Sequence, residues 1–479
     1  MRVMLMEWAN SLPELVDVAS KLKENGHQIL YWVRNDSHFK VDESAFFGTI
    51  FHSHIEAREG KPAIGLKLTD FEPLGSDIIF NFFNAESVFM YNVERYYPKK
   101  KAQEKKQLFY DLLRYWYGLT VKLKPDVAIF EEIPHHLHSH VAYSVLKFFN
   151  IKIIILNSIG LNNRLLITSD IKFNSQKLRL RMKENSDKDF NLGDLSPEIK
   201  ININNGTNYT KLPTQTIALY NEQKIKNKNN NNVLVAKLIF WLKIFISFRI
   251  FRITYNFVKN RIGGNAKKEY LKAQKLPDFN LKYIYVPLHY QPEASTNILG
   301  GMFVNQINLI EILSASLPEG WNIYVKEHPI QFYVNGIGYN SYRFKGFYNR
   351  ISNIKGVKII PMDTDTFKLI EECKAVATVT GTAAWESVLR LKPALIFGDN
   401  WFQDCPGIFK VNNVEKCKAA LNFIKNGSFK TTKQDIIRFL FSVEEATIFG
   451  NFSFIKSEDT VDSATNVDNI YKSIIESMK

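Results

Sequence analysis

The chain is 479 residues long, enough for two or three domains with substantial cores, so a single small binding module is excluded. Hydrophobic residues make up 45% and charged residues 23% of it, which excludes a disordered, collagen-like or coiled-coil chain. Lys plus Arg outnumber Asp plus Glu by 62 to 48, a formal charge of +14 that favours anionic partners without choosing among nucleic acid, phosphorylated substrates and an acidic membrane surface.

Three cysteines, Cys373, Cys405 and Cys417, are too scattered for a disulfide framework or a paired-cysteine zinc site, so a reducing cytoplasm is the expected compartment. The opening MRVMLMEWANSLPELVDVASKL reads as a strand and an amphipathic helix, because its apolar run is too short for an export signal and no small-residue cleavage site follows. Arg2 to Met6 is the strand, Leu12 to Lys23 repeats apolar side chains at helical spacing, Asn25-Gly26 closes the helix, and His27 to Val33 resumes a strand pattern. A helix over Gln107 to Lys122, a strand at Val127 to Phe130, a helix over Ser139 to Phe149 and a strand at Ile151 to Leu156 continue the alternation. Unbroken apolar strands alternating with helices predict a parallel sheet covered on both faces, and this first Rossmann-like domain is placed at 1–168.

Residues 169–275 read as a polar linker and a helical insertion. Asp170 to Asn232 is rich in Asn, Lys and Ser and contains the run KIKNKNNNN. Val233 to Arg261 sets Lys237, Arg249, Arg252, Asn256 and Lys259 on one side of a helix, with Lys243 off that face, and the remainder is strongly apolar and aromatic. The expectation is a basic amphipathic helix lying in an anionic membrane surface, which places the protein peripherally on the inner face of the cytoplasmic membrane. The alternative is a core helix whose Lys and Arg stems reach out to solvent.

A second alternating unit occupies 276–430. Its strands fall at Tyr283 to Leu288, Trp321 to Lys326, Val357 to Ile360, Val376 to Val379 and Ala394 to Phe397, with helices over Phe303 to Leu317, Thr364 to Cys373 and Ala383 to Leu391. Two doubly wound domains bind ligands at the carboxyl ends of their strands, in the cleft between them. Residues 431–479 form a helical tail whose final pattern, Asn466 to Ser477, can pack back on the first domain.

Three stretches of the second unit place chemistry at strand ends. In VPLHYQPEASTNILGG, Gln291, Glu293, Ser295 and Thr296 follow the first strand; a carboxylate there can act as base or nucleophile, or simply cap the next helix. In KEHP, Lys326 and His328 end the second strand, and the proline fixes the imidazole on a turn where it can bond a phosphate or move a proton. In VTGTAAWESVLRLKPALIFGDNWF, Thr380, Gly381 and Thr382 end a strand and open a helix, so hydroxyls, backbone N–H groups and the positive helix end converge on one point. Glu386 lies one turn further and can accept bonds from ribose. The Gly-Lys-Ser/Thr ending of a P-loop is missing.

Taken in order, Gln291, Glu293-Ala294-Ser295, Lys326-Glu327-His328-Pro329, Thr380-Gly381-Thr382, Trp385-Glu386 and Gly398-Asp399-Asn400-Trp401-Phe402 resemble the motifs of the capsule polysaccharide biosynthesis family of bacterial glycosyltransferases, which includes transferases of Kdo, a 3-deoxy-octulosonic acid. Glu293 stands where that family usually has Asp, and Trp385 where it usually has Phe. The resemblance implies a GT-B-like α/β fold, a donor nucleotide on the second domain, an acceptor on the first and chemistry in the cleft.

The first domain offers one more candidate, DVAIFEEIPHHLHSH. Glu131 and Glu132 end a strand and suit the acceptor base, because a sugar hydroxyl needs a proton acceptor within hydrogen-bond reach. His135, His136, His138 and His140 follow, with His136 and His140 one helical turn apart. A metal site on these histidines is one alternative and a plain polar helix start the other, but no metal or other cofactor is expected, since catalytic zinc usually needs three rigidly held ligands and GT-B enzymes as a class usually need none.

The resulting expectation is a glycosyltransferase that takes a sugar from a nucleotide donor, CMP-linked by preference, to a surface glycan or glycolipid. Glu293 serves as nucleophile or base and His328 serves the leaving phosphate. Thr380, Gly381, Thr382 and Lys326 hold that phosphate, Glu386 binds ribose, and Glu132 or Glu131 assists the acceptor. Gln291 and Ser295 complete the donor site. The alternatives are a CDP-glycerol-type glycerophosphotransferase and a nucleotide-diphosphate-sugar transferase. Nucleic acid is not expected as a partner, because the basic residues lack an interleaved aromatic platform.

Overall fold

The computed structural model describes residues 1–10, 12–35, 41–161, 163–207, 266–332, 343–450 and 461–479. The insertion expected at Val233 to Arg261 lies outside them, as do residues 208–232 of the expected linker.

Two sheets organise the chain. The first contains β1 (Arg2–Met6), β2 (Gln28–Arg34), β3 (Ile50–Ser53), β4 (Val127–Phe130), β5 (Lys152–Ser158), β6 (Arg164–Thr168) and β13 (Ile448–Phe449), in the order β13-β6-β5-β4-β1-β2-β3. The strands β5-β4-β1-β2-β3 are parallel, and β6 and β13 are antiparallel additions at one edge. The second sheet is wholly parallel: β7 (Lys282–Pro287), β8 (Trp321–Lys326), β9 (Val357–Ile359), β10 (Ala375–Thr378), β11 (Ala394–Ile396) and β12 (Ile408–Lys410), in the order β12-β11-β10-β7-β8-β9.

The central strands are apolar on both faces because helices cover both. Val3, Met4 and Leu5 of β1 and Tyr283, Ile284 and Val286 of β7 are completely buried, as parallel strands between two helical layers require. The helices Glu14–Glu24 and Ser463–Met478 cover one face of the first sheet, and Ala102–Leu123 and Leu137–Phe148 the other. The tail therefore completes the first domain: Lys152 donates to the Met478 carbonyl at 2.6 Å, and Ile470 and Ile474 are fully buried against that sheet.

The described part of 169–275 differs from a polar linker. Helices Gln176–Glu184 and Pro197–Thr207 bury Leu178, Leu195 and Ile199 in a core shared with the second sheet and with the helix Lys433–Ala446. Phe190 stacks on Phe441 at 3.9 Å. Few apolar residues, set among many polar ones, suffice for these short helices because only one narrow stripe of each is covered. In the same core Trp385 meets Trp401 at 4.9 Å and donates to Asn202 at 3.3 Å. Across the domains, helix Phe83–Tyr96 of the first packs on helix Ala294–Leu299 of the second. Among the described residues no helix is long and apolar enough to cross a membrane.

Candidate functional site

The second sheet reverses its winding between β7 and β10, since the chain runs from β7 outward to β8 and β9 and then returns to β10 on the other side. Loops leaving the carboxyl ends of these two strands diverge there, and such a switch point is where a doubly wound sheet takes its ligand. His289 opens the first loop. Its Nδ1 lies 3.3 Å from Glu293 Oε2 and 3.1 Å from the Thr296 hydroxyl. Its Nε2 lies 2.9 Å from the Thr378 hydroxyl and accepts from the Thr380 amide at 3.3 Å. An amide only donates, so Nε2 is the acceptor and Nδ1 carries the proton that faces Glu293.

Glu293 caps the helix Ala294–Leu299 by position and also accepts from the Thr296 hydroxyl. That hydroxyl lies 3.2 Å from Thr380 Oγ1, so the loops after β7 and β10 are joined side chain to side chain. Burial alone would raise the Glu293 carboxyl, but the bonds from His289 and Thr296 and the neighbouring imidazoles outweigh it and hold the pKa below its ordinary value. Its side chain keeps 26% of its surface exposed: an ionised carboxylate open to a ligand.

His328 follows β8. The Ile330 amide donates to its Nδ1 at 3.2 Å, which puts the ring proton on Nε2. Burial lowers its pKa, so at neutral pH the ring is a neutral N–H donor. Beneath it a buried ion pair ties two loops together. Glu327 accepts from Arg343 at 2.7 and 3.2 Å, from the Tyr348 hydroxyl at 2.6 Å and from the His328 amide at 2.7 Å. Arg343 also donates to the His289 carbonyl at 2.8 Å.

The third loop needs small residues. A Cβ on Gly381 would sit 2.7 Å from Thr378 Oγ1 and 3.3 Å from the His289 ring. A Cβ on Gly398 would sit 2.7 Å from both the Leu299 carbonyl and Thr380 Cγ2. Gly381 precedes the helix Thr382–Leu389, whose positive end opens beside Thr380. Thr382 itself is exposed. Glu386 lies one turn on, and burial pushes its pKa up to about 7 against the opposing charge of Arg390.

The first sheet repeats this design. Its winding reverses between β1 and β4, and Glu7 follows β1 as Glu131 follows β4. Glu7 is 1% exposed and holds φ at +56°, a left-handed backbone that costs a non-glycine residue about 1 kcal/mol or more. Its carboxylate bonds His54 Nδ1 at 2.5 Å, lies 2.6 Å from His138 Nε2 and accepts from Asn10 at 2.7 Å. Burial alone would raise this carboxyl, but the charges of His138 and His136 outweigh it and hold it well below its ordinary range. Glu131 is buried and accepts from the Asn10 amide at 2.7 Å. Glu132 is half exposed, 3.5 Å from His135 and 3.7 Å from His136. The helix Phe83–Tyr96 links the two constellations: it packs beside Glu293's helix, its Asn92 donates to the His135 carbonyl at 2.5 Å, and its Tyr96 hydroxyl meets His136 Nδ1 at 2.7 Å.

A family model of capsule polysaccharide biosynthesis proteins matches residues 266–430, the span of the second sheet. Over that span, about a third of the chain, the sequence is similar to the capsule polysaccharide biosynthesis family. No curated protein matches the chain. Among solved structures, the β-Kdo 2,7 transferase of Thermosulfurimonas dismutans KpsC aligns at 11% identity over 80% of this chain and 95% of its own, with a TM-score of 0.33. The β-Kdo 2,4 transferase of the same protein aligns at 12% over 73% and 87%, with a TM-score of 0.34. A UDP-GlcNAc 2-epimerase from Neisseria meningitidis aligns at 12% over 100% and 99%, with a TM-score of 0.25. At scores this low the likenesses assign neither a substrate nor a residue role.

Within this family-matched span, Glu293, Thr380 and Gly381 come together as the motif spacing suggests, and His328 lies close enough to influence the Glu293 carboxyl electrostatically. The Lys326 ammonium donates to the Thr364 carbonyl and the Thr366 hydroxyl, both at 2.6 Å, and burial lowers its pKa to about 8. Two of its three N–H donors therefore brace the segment after β9. Gln291 is fully buried: the Gln331 side chain exchanges bonds with its backbone at 2.7 and 3.1 Å, and its own Oε1 accepts from the Glu293 amide at 3.1 Å. Ser295 is exposed, whereas its neighbour Thr296 is buried in the site. His136 and His140 do not pair: His140 is buried, and both its ring nitrogens lack a hydrogen-bond partner, while His136 turns to Tyr96, Glu132 and Glu7. Sequence reasoning missed His289, Arg343, Glu7 and His54. Position at the end of the first strand of each sheet is the signal that finds His289 and Glu7.

Proposed function

We propose that the protein is a glycosyltransferase that moves a sugar from a nucleotide donor, preferably a CMP-activated 3-deoxy-ulosonic or nonulosonic acid such as Kdo, onto a bacterial surface polysaccharide or glycolipid. One observation carries the reading: an ionised Glu293 and a neutral His328 stand beside the Thr380-Gly381 helix entrance at the switch point of the family-matched domain. The helix entrance supplies amide donors for a phosphate, and His328 Nε2–H bonds a phosphate oxygen as the sugar departs. Thr382 and Glu386 complete the nucleotide side, Glu386 toward ribose. Cleavage of the sugar–phosphate bond builds positive charge on the anomeric carbon, which a carboxylate at Glu293 stabilises more in the transition state than in the ground state. Glu132, at the exposed end of the first domain's cluster, receives the acceptor proton, with Glu131 shaping its loop.

In this reading the enzyme works at the cytoplasmic face of the membrane and reaches it through residues 233–261. A donor screen tests the activity. Release of CMP from a CMP-linked ulosonic acid, dependent on a glycan acceptor, is the expected result. Release of CMP from CDP-glycerol alone, or turnover of UDP-sugars alone, would overturn the donor assignment.

A further inference from the structure

The buried cluster in the first domain exceeds what an acceptor base needs. Glu7, His54 and His136 come from three separate elements, namely the end of β1, the start of helix His54–Arg58 and the N-cap of helix Leu137–Phe148. One ligand-type atom from each lies within 4.8 Å of the other two. The His54 and His136 rings meet at 4.5 Å. Two of the three potential ligands, Glu7 and His136, are also held from behind. His138 and Asn10 engage the Glu7 carboxylate, and the Tyr96 hydroxyl at 2.7 Å occupies His136 Nδ1, leaving Nε2 for the interior of the cluster. Such outer partners orient metal-binding side chains and fix their tautomers. Glu132 lies 3.7 Å from His136 Nε2 on the solvent side, and forms with His135 and His136 a second group of three ligand-type atoms within the same 4.8 Å.

We propose that Glu7, His54 and His136 bind one zinc-type divalent cation, with the fourth coordination position facing Glu132. Two imidazoles and one carboxylate with an open position form a donor set suited to zinc. Ligand atoms about 2.0–2.1 Å from a tetrahedral ion stand roughly 3.3 Å apart, whereas Glu7 Oε2 and His54 Nδ1 are now 2.5 Å apart. A rotation of the Glu7 side chain that opens this gap by less than about 1 Å admits the ion, which replaces the proton shared across the pair. The proposal does not depend on the donor reading, because it concerns the other domain's sheet.

The test uses the full-length protein equilibrated with Zn²⁺, passed through a desalting column and assayed for metal by mass spectrometry, with Co²⁺ substitution followed by visible absorption. About one zinc per chain is expected, and a cobalt spectrum of low-symmetry four-coordinate type. His54→Ala and His136→Ala each abolish retention, and Tyr96→Phe weakens affinity by about 10- to 100-fold. Glu293→Gln leaves retention unchanged, so a failure here is separable from a failure of the nucleotide site. Circular dichroism establishes that each variant is folded, and if one ligand variant fails to fold the other decides. Absence of retained metal in the wild-type chain would overturn the proposal in favour of a proton-linked Glu–His network. Retention that survives in a folded His54→Ala or His136→Ala chain would overturn it equally.

Discussion

Arg343→Met is the substitution whose outcome follows most directly from the geometry. Arg343 is 4% exposed and Glu327 is fully buried, and their two bonds are the only ones Glu327 makes to a cationic side chain among the described residues. Without the guanidinium, the carboxylate keeps only the Tyr348 hydroxyl and the His328 amide. Breaking one side of a buried pair typically costs about 3–5 kcal/mol, because a charge is left in low dielectric. At about 2–4 °C per kcal/mol for a domain of this size, the melting temperature falls by about 6–20 °C. Differential scanning calorimetry measures it. Adding Glu327→Gln removes the stranded charge while keeping an acceptor for Tyr348 and His328, so the double variant recovers a large part of the loss. Because Arg343 also holds the His289 carbonyl, the single variant loses nucleotide affinity as well. A shift within about 2 °C, the range of an ordinary surface substitution, would refute the account of Glu327 and Arg343 as the brace beneath the site.

Glu293→Gln and His328→Ala each lower turnover by about a hundredfold or more, with melting temperatures close to wild type; near-normal turnover in both removes the assignment. Glu386 affects the pH dependence of stability: its folded pKa of about 7 lies above the ordinary 4.5, so the folded chain retains the proton longer and stability declines as pH rises through that window. Glu386→Gln flattens the decline and raises stability at pH 8, which denaturant melts across pH 4 to 8 check. Gly398→Ala forces a methyl against the Leu299 carbonyl and Thr380, costs about 1–3 kcal/mol and weakens nucleotide binding as the two loops part; an unchanged titration argues against their junction. Removal of residues 233–261 abolishes cosedimentation with anionic liposomes, and persistence of cosedimentation excludes that segment as the membrane contact.

Much of the architecture is legible because its strands are written as unbroken apolar runs. The segments YIYV and AVAT sit between helices on both faces, and nothing else satisfies them. The edge strands β3 and β12 carry weaker patterns, since each is short and only partly covered. Helix Phe83–Tyr96 is likewise hidden, its buried Ala85, Phe89 and Val93 diluted by the buried polar Glu86 and Asn92 and by the exposed Phe83. The grouping of residues is legible where motif and strand end coincide, as at Glu293, Thr380 and Gly381. It reads poorly where the partner is remote: Arg343 meets Glu327 through a loop closure that no spacing rule encodes, and Glu7 gathers histidines 47 and more residues away. The partner set of Lys326 is equally remote, since the Thr364 and Thr366 oxygens that accept from it lie 38 and 40 residues on.

A crystal structure of the protein soaked with CMP addresses the central claim most directly. The account predicts the phosphate within hydrogen-bond distance of the Gly381–Thr382 backbone and His328 Nε2, with Glu293 facing the position vacated by the sugar. Nucleotide bound elsewhere, with the crevice between β7 and β10 filled only by solvent, would contradict it.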